Sequence, residues 1–505
     1  MKKRLISLLL AVSMVFATAC TDQKSAVQDA DNAVVESAEE TTEKKTSSEA
    51  TEDTENAETA ETEGAKEEVA QRVSEQPEWA KDAIVYEVNI RQYTAAGTFD
   101  AFAEHLDTLA DMGVNVLWIM PIYPISLKNR SGHLGSYYSI TDYREVNPEF
   151  GDKDSFKALV DAAHEKGMHV MLDWVANHTG WDSAWITDHP DWYTQDANGN
   201  IISPENMGWP DVADLNYDNM DMRAEMIECM KYWIVNFDVD GFRCDYATGV
   251  PKDFWEDARE ALDEIKPVYM LAEDNMVVGL LDYAFDMNYN WDLYDAMVAV
   301  AKGMKTADKL RLYVPEKYPE GTYSLNFMDN HDKNSYERTI MGGFGSDALP
   351  AFFTYMFMIP GVPMIYTGDE IGLDHAIAFT SKDAVRWDSS EYDYRELLGH
   401  LADIRHNNPA LYSGTYGGKA EYFDCGSKNI VAFTREKDGN VIKLIVNLCK
   451  RESTGNFADF VSEDSKVLLH GCTSDSYDFE ETTAGELNLC GEIELKPWEF
   501  FVIAE

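Results

Sequence analysis

Residues 156–178 read FKALVDAAHEKGMHVMLDWVANH, a helix and a strand in succession. Phe156, Val160 and Ala163 recur at i, i+4 and i+7, the spacing of one helical face. Gly167 stands where that helix should stop, since glycine most readily takes the left-handed conformation that ends a helix. His169–Val175 is then a short apolar strand that carries an acid, Asp173, at its far end, with Asn177 and His178 just beyond. A helix feeding an apolar strand is the repeating unit of a parallel sheet.

The unit recurs along the chain. Further strand candidates are Ile84–Ile90, Val114–Ile122, Val239–Asp245, Val268–Asp274, Asp282–Met287, Tyr323–Met328 and Val362–Thr367. Helical spacing returns in Phe102, Leu106 and Leu109, in Met226, Met230 and Trp233, and in Leu397, Leu401 and Ile404, with Gly113 as a second stop. Eight units over roughly 330 residues imply an α/β fold of the (β/α)8 TIM-barrel type. A doubly wound open sheet is the competitor, but no glycine-rich phosphate loop follows the first strand. From about Tyr412 the texture changes to short alternating runs (Val431–Thr434, Val441–Val446, Phe500–Ile503) with the turn Asp438-Gly439, as in a β-sandwich. The expected organisation is a barrel over 79–410, interrupted by a short insertion at about 178–212, and a β domain over 411–505.

The first eighty residues are of another kind. Lys2, Lys3 and Arg4 precede the apolar run Leu5–Ala17. That run is shorter than the roughly 20 residues needed to span a bilayer and reads as a secretory signal. It leads into Ala17-Thr18-Ala19-Cys20, which resembles a bacterial lipobox, so residues 1–20 are expected to be a lipoprotein signal with lipid attached at Cys20. An ordinary signal peptide is the alternative. Residues 21–78, rich in Glu, Thr, Ala and Ser, cannot bury enough apolar surface to offset their ordering entropy and are expected to be a disordered acidic linker. The product would be exported and held at a membrane or cell surface, or else secreted. Export also permits disulfides among Cys229, Cys244, Cys425, Cys449, Cys472 and Cys490, with neither pairing nor free thiols decided by spacing.

The full chain of 505 residues carries 42 Lys and Arg against 91 Asp and Glu, a net charge of −49. Phosphate-binding surfaces run on Lys and Arg, so nucleic acid is excluded as a partner. Residues 22–78 hold 18 of the acids against 5 bases, so most of the excess lies elsewhere.

Four of the remaining acids are informative by position. Asp173, Asp245, Glu273 and Asp332 fall at or just past the ends of apolar strand candidates. A desolvated carboxylate costs several kcal/mol unless paired, so each needs a reason. Strand C-termini are where barrel active sites are built. Converging carboxylates suit either a divalent metal or glycoside hydrolysis, in which one acid protonates the leaving oxygen and a second attacks or activates water. Tyr138, Trp181, Trp185, Trp192 and Trp209 crowd the loops and favour sugar.

The motifs resemble those of the α-amylase family of glycoside hydrolases (family 13) from Tyr86 to about Trp387. DWVANH contains Asp173, Asn177 and His178; GFRCD contains Arg243 and Asp245; LAED contains Glu273; DNHD contains His331 and Asp332. ADLN at 213–216 and GSYYSITDY at 135–143 match supplementary segments. The resemblance implies Asp245 as nucleophile, Glu273 as general acid/base and Asp332 as third carboxylate. It implies Tyr138 as a sugar-stacking ring, and Asp173, His178, Arg243 and His331 as substrate-binding residues. Arg243, two residues before Asp245, points to the same side and should favour its ionised form.

Two departures matter. Calcium-dependent members carry Lys-His after the nucleophile, where this chain has Thr248 and Gly249. Asn177 is left as the single candidate metal ligand, and the expectation is no required cofactor and no calcium at the family's usual position. Oligosaccharide-trimming members often carry an Asp where Gly135 stands, which favours internal cleavage of an α-glucan polymer. The expected function is α-amylase-type hydrolysis of α-1,4-glucosidic bonds in starch-like glucans and maltooligosaccharides. An oligosaccharide-trimming α-glucosidase, neopullulanase or glucanotransferase would use the same residues. A surface protein that only binds glucan is the alternative from another class.

Overall fold

The computed structural model describes residues 76–505 apart from 275–277, 315–317 and 475. The expected signal, Cys20 and nearly all of the acidic linker lie outside the described residues.

The first ten strands in chain order are β1 (Val85–Val88), β2 (Val116–Ile119), β3 (His169–Trp174), β4 (His178–Gly180), β5 (Val212–Asp214), β6 (Gly241–Cys244), β7 (Tyr269–Ala272), β8 (Met287–Tyr289), β9 (Tyr323–Phe327) and β10 (Val362–Tyr366). Among the described residues, eight of these close a parallel barrel in the order β1-β10-β9-β8-β7-β6-β3-β2. Nearly every residue of the eight is buried, because helices cover the outer face and side chains fill the interior. That two-sided burial is why the strands read as apolar runs. β4 and β5 form a separate antiparallel ribbon within the insertion.

The helices end as their sequences demand. Asp152 caps Lys153–Glu165 by accepting from the Ser155 N–H at 2.9 Å, with Ser155 returning a bond to the Asp152 N–H, a capping box. Gly167 follows at φ 77°. The apolar run Phe102, Leu106, Leu109 is not one helix but two, Phe99–Ala103 and Leu106–Asp111, broken by a tight turn at His105. All three side chains remain fully buried.

One strand candidate is displaced. Asp282–Met287 was expected, yet the barrel strand is Met287–Tyr289, and Val278–Asp282 forms a 3-10 turn. The chain joins the barrel only at Asp286, whose carboxylate bonds Arg259 at 3.1 Å and the Met270 N–H at 2.7 Å.

The C-terminal region holds β11 (Glu421–Tyr422), β12 (Ile430–Lys437), β13 (Asn440–Asn447), β14 (Ser453–Asn456), β15 (Lys466–Thr473), β16 (Ser476–Asp478), β17 (Thr482–Thr483), β18 (Glu492–Leu495) and β19 (Phe500–Ala504). Among the described residues a sheet runs β11-β12-β13-β19-β15-β16 with β17 beside β15, and β14 and β18 pair separately. Asp438 (φ 50°) and Gly439 (φ 86°) turn the β12–β13 hairpin, both left-handed as a type I′ turn requires. Val431, Phe433, Leu444 and Val502 face the barrel core, while Ala432, Ile445, Phe501 and Ile503 build a second core on the other side. Trp498 packs on the barrel side, 6.1 Å from the Phe352 ring. Cys229, Cys244, Cys425, Cys449, Cys472 and Cys490 are free thiols.

Candidate active site

Three strands deliver their carboxylates to one cation. Asp173 and Arg243 are register partners across β3 and β6, and Asp245 and Glu273 directly follow β6 and β7. Arg243 Nη1 lies 2.9 Å from Asp173 Oδ1 and 2.9 Å from Asp245 Oδ1, and Nη2 lies 3.0 Å from Glu273 Oε2. Asp173 Oδ2 also accepts from Trp118 Nε1 and the Tyr138 hydroxyl, each at 3.1 Å. Asp173 and Arg243 are wholly buried, so they form the support beneath the site, whereas Asp245 keeps 13% of its side chain open.

Three acids around one guanidinium leave negative charge uncompensated. Burial and the neighbouring Glu273 charge push the Asp245 carboxyl well above the usual range, against the opposing pull of Arg243. This reverses the expectation that Arg243 would set its direction, because one cation is divided among three anions. Asp173 is likewise pushed up by burial, with Arg243 and His331 pulling down. The cluster therefore retains a proton more readily than isolated carboxylates would.

Two histidines flank the acids with opposite character. Burial lowers His178 to about 4, which keeps its ring neutral. His331 is equally buried but rises to about 9, because Asp332 and Glu87 outweigh the burial. Its Nδ1 sits 2.5 Å from Glu87 Oε1, and its Nε2 is 2.9 Å from the Tyr138 hydroxyl and 3.5 Å from Asp332 Oδ1. Asp332, 41% exposed, stands at the rim.

Above these groups opens a pocket of about 830 Å³. Its walls include Tyr138, His178, Trp209, Asp245, Tyr246, Glu273, Trp291, His331, Asp332, Tyr336 and Phe379. Tyr138 is nearly parallel to both His331 and Phe379, with interplanar angles of 23° and 3°. Of the other aromatics expected here, only Trp209 reaches the pocket. Trp185 packs on Tyr143 and Trp192, while Trp181 donates to the Pro210 carbonyl and lies under Lys128.

Several residues escaped the sequence reading. Glu87 was detectable as an acid inside the apolar strand Val85–Val88. Tyr246, Trp291, Tyr336 and Phe379 come from the separate segments that follow β6, β8, β9 and β10, and no local pattern marks them.

Asn177 does not present a cation cage. Its Nδ2 lies 3.2 Å from His178 Nδ1, and among the described residues there is no grouping of three or more His, Cys, Asp or Glu suited to a metal. Asp196, in the segment DANGN, closes a turn: Oδ1 accepts from the Asn198 and Asn200 amides and Oδ2 from Asn200 Nδ2. Gly135 (φ 84°) is required by its backbone, since a Cβ there would come within 2.6 Å of Ile125 and 2.9 Å of Arg130.

Residues 52–399 match the family model described as the alpha amylase catalytic domain. An alpha-amylase, MalA, from Haloarcula japonica is 26% identical over 76% of this chain, and the match spans 58% of that protein's length. A cyclomaltodextrinase from Geobacillus thermopakistaniensis is 27% identical over 85% of this chain and 78% of its own. The crystal structure of an alpha-amylase from Lactobacillus plantarum superposes with a TM-score of 0.73 at 29% identity, covering 85% of this chain and 99% of that one.

Proposed function

The chain belongs to the α-amylase family of glycoside hydrolases, and we propose that it hydrolyses α-1,4-glucosidic bonds of α-glucans with retention, through a glycosyl ester on Asp245. The observation that carries this reading is Arg243, which contacts Asp173, Asp245 and Glu273 at the floor of an aromatic pocket.

Glu273 gives its proton to the glycosidic oxygen as the bond breaks and the electron pair moves onto that oxygen. Asp245 forms the bond to the anomeric carbon. Water then attacks that carbon, loses a proton to Glu273 and releases Asp245. Asp332 meets ring hydroxyls and gains strength as positive charge develops on the sugar, while His331 and neutral His178 donate to hydroxyls. Tyr138 supplies the face on which the sugar stacks. Asp173 acts through Arg243 and Tyr138, both of which it holds. Asp245→Asn should lower turnover of soluble starch by at least about 10⁴-fold, with glucan binding kept; substantial turnover by the purified variant would refute the assignment.

The cyclomaltodextrinase relative favours a second reading, action on short or cyclic maltooligosaccharides. Product chromatography on soluble starch, pullulan and maltotriose separates the two.

The segment that begins with Lys2, Lys3 and Arg4 and reaches Cys20 supports export with a lipid on Cys20. Mass spectrometry of the N-terminal peptide from native cells should find the lipidated cysteine, and an unmodified residue there would rule it out. Thr248 and Gly249 stand where calcium-dependent members carry Lys-His, which supports catalysis without calcium. Exhaustive chelation should leave activity and Tm unchanged, and a large loss of either would reverse that assignment.

A further inference from the structure

On the reading that Glu273 is the proton donor, we propose that Tyr246 is its positioning residue. The left-handed backbone just after the nucleophile aims an amide at one oxygen of Glu273 and so assigns the transferable proton to the other.

Tyr246 has φ 40° and ψ 52°, a conformation in which a bulky side chain is a genuine outlier. Its N–H, at the entry to that turn, donates to Glu273 Oε2 at 2.8 Å. The next amide, Ala247 N–H, bonds the Glu273 main-chain carbonyl at 3.2 Å. Two successive amides therefore clasp the side chain and the backbone of one residue.

The consequence for the proton is direct. An amide N–H can only donate, and so can a guanidinium. Glu273 Oε2 accepts from Tyr246 N–H and lies 3.0 Å from the Arg243 cation, so a proton there would meet an amide donor and a positive charge. It belongs on Oε1. During cleavage Oε1–H passes its proton to the glycosidic oxygen, which takes the electron pair of the breaking bond. In the second half Oε1 receives a proton from the attacking water.

The ring is seated in a fitted notch beside that backbone. It meets Trp209 edge-on, centroids 5.6 Å apart at 88°. Beneath it lies Gly249, where a Cβ would stand 2.3 Å from Tyr246 Cε1 and 2.6 Å from Asn177 Oδ1. Glycine at 249, one of the positions where the family pattern departs, leaves the notch that this ring fills.

The test uses two substrates. Maltopentaose needs its leaving oxygen protonated, whereas a dinitrophenyl α-maltotrioside leaves without help. Tyr246→Val, whose branched side chain rejects the left-handed region, should lower kcat/KM on maltopentaose about 10²-fold and on the aryl substrate under about 5-fold. Tyr246→Gly accepts the backbone but loses the ring wall, so both substrates should weaken together and their ratio stay within about 3-fold of the parent. Gly249→Ala, which displaces the ring with residue 246 unchanged, should shift the ratio as Tyr246→Val does, and it decides the matter if Tyr246→Val does not fold. Glu273→Gln is the reference and should shift the ratio furthest. If Glu273→Gln shifts it while Tyr246→Val and Gly249→Ala do not, or if Tyr246→Gly shifts it as valine does, the positioning role is overturned. An unshifted Glu273→Gln overturns the donor assignment and the proposal with it.

Discussion

Asp240 and Asp245 flank the same strand, β6, at opposite ends of one barrel. At the closed end, Asp240 receives His164 Nε2 at 2.7 Å, Lys266 Nζ at 3.0 Å and the Val170 N–H at 2.8 Å. Burial works against its charge, but these partners and His169 prevail and hold the carboxyl far below the usual range. At the mouth, Asp245 has one cation divided among three acids and moves the opposite way. Asp286 shows that the count of partners decides, not the end of the barrel. It lies beside the closed end with Arg259, a cation it shares with Asp263, and burial pushes it up. Asp240 is compensated by several partners, whereas the cluster around Arg243 is left short of positive charge, and that shortage favours keeping a proton.

The largest effect on stability should come from breaking the compensated end. Asp240→Asn strips the anion from His164 and Lys266 and should cost about 3 kcal/mol, with kcat of the folded enzyme unchanged. A group with a lowered folded pKa contributes stability that is present above its ordinary value and lost as pH falls through the folded one. The deficit in Tm should accordingly be greatest near pH 7 and shrink below about pH 4. A deficit of equal size at both pH values would show that packing, not charge, is what Asp240 supplies.

The same contrast explains what was legible in the sequence. Strands buried on both faces announce themselves as apolar runs, and an acid at the end of such a run is conspicuous, which is how Asp173, Asp245 and Glu273 stood out. β8 was misplaced because Ala284 and Phe285 are as apolar as a strand yet sit before Asp286, where the chain enters the barrel. Glu87 carried the same signal as the other acids, but its partner His331 is 244 residues away. The direction of Asp245 depends on three strands meeting at Arg243, and the spacing of Arg243 and Asp245 along one strand contains only one of those contacts. The aromatic wall is illegible for a similar reason. Tyr336 and Phe379 meet at 5.4 Å only because separate loops converge over the mouth.

A smaller effect, of opposite sign, should follow at the mouth. Asp245→Asn keeps an oxygen for Arg243 while removing one of the three competing charges. An acid with a raised folded pKa contributes stability only while protonated, below its ordinary value, and becomes a liability as pH rises through the folded one. The variant should therefore be more stable than the parent at pH 7 by about 1 kcal/mol, the size expected where function is built on strained electrostatics. That gain should vanish below about pH 4, where Asp245 is protonated in the unfolded chain as well as in the folded one. Thermal melts of parent and variant across that range read it directly. Lower stability of the variant at pH 7 would mean that Arg243 compensates Asp245 after all, and the contrast between the two ends of β6 would lose its electrostatic basis.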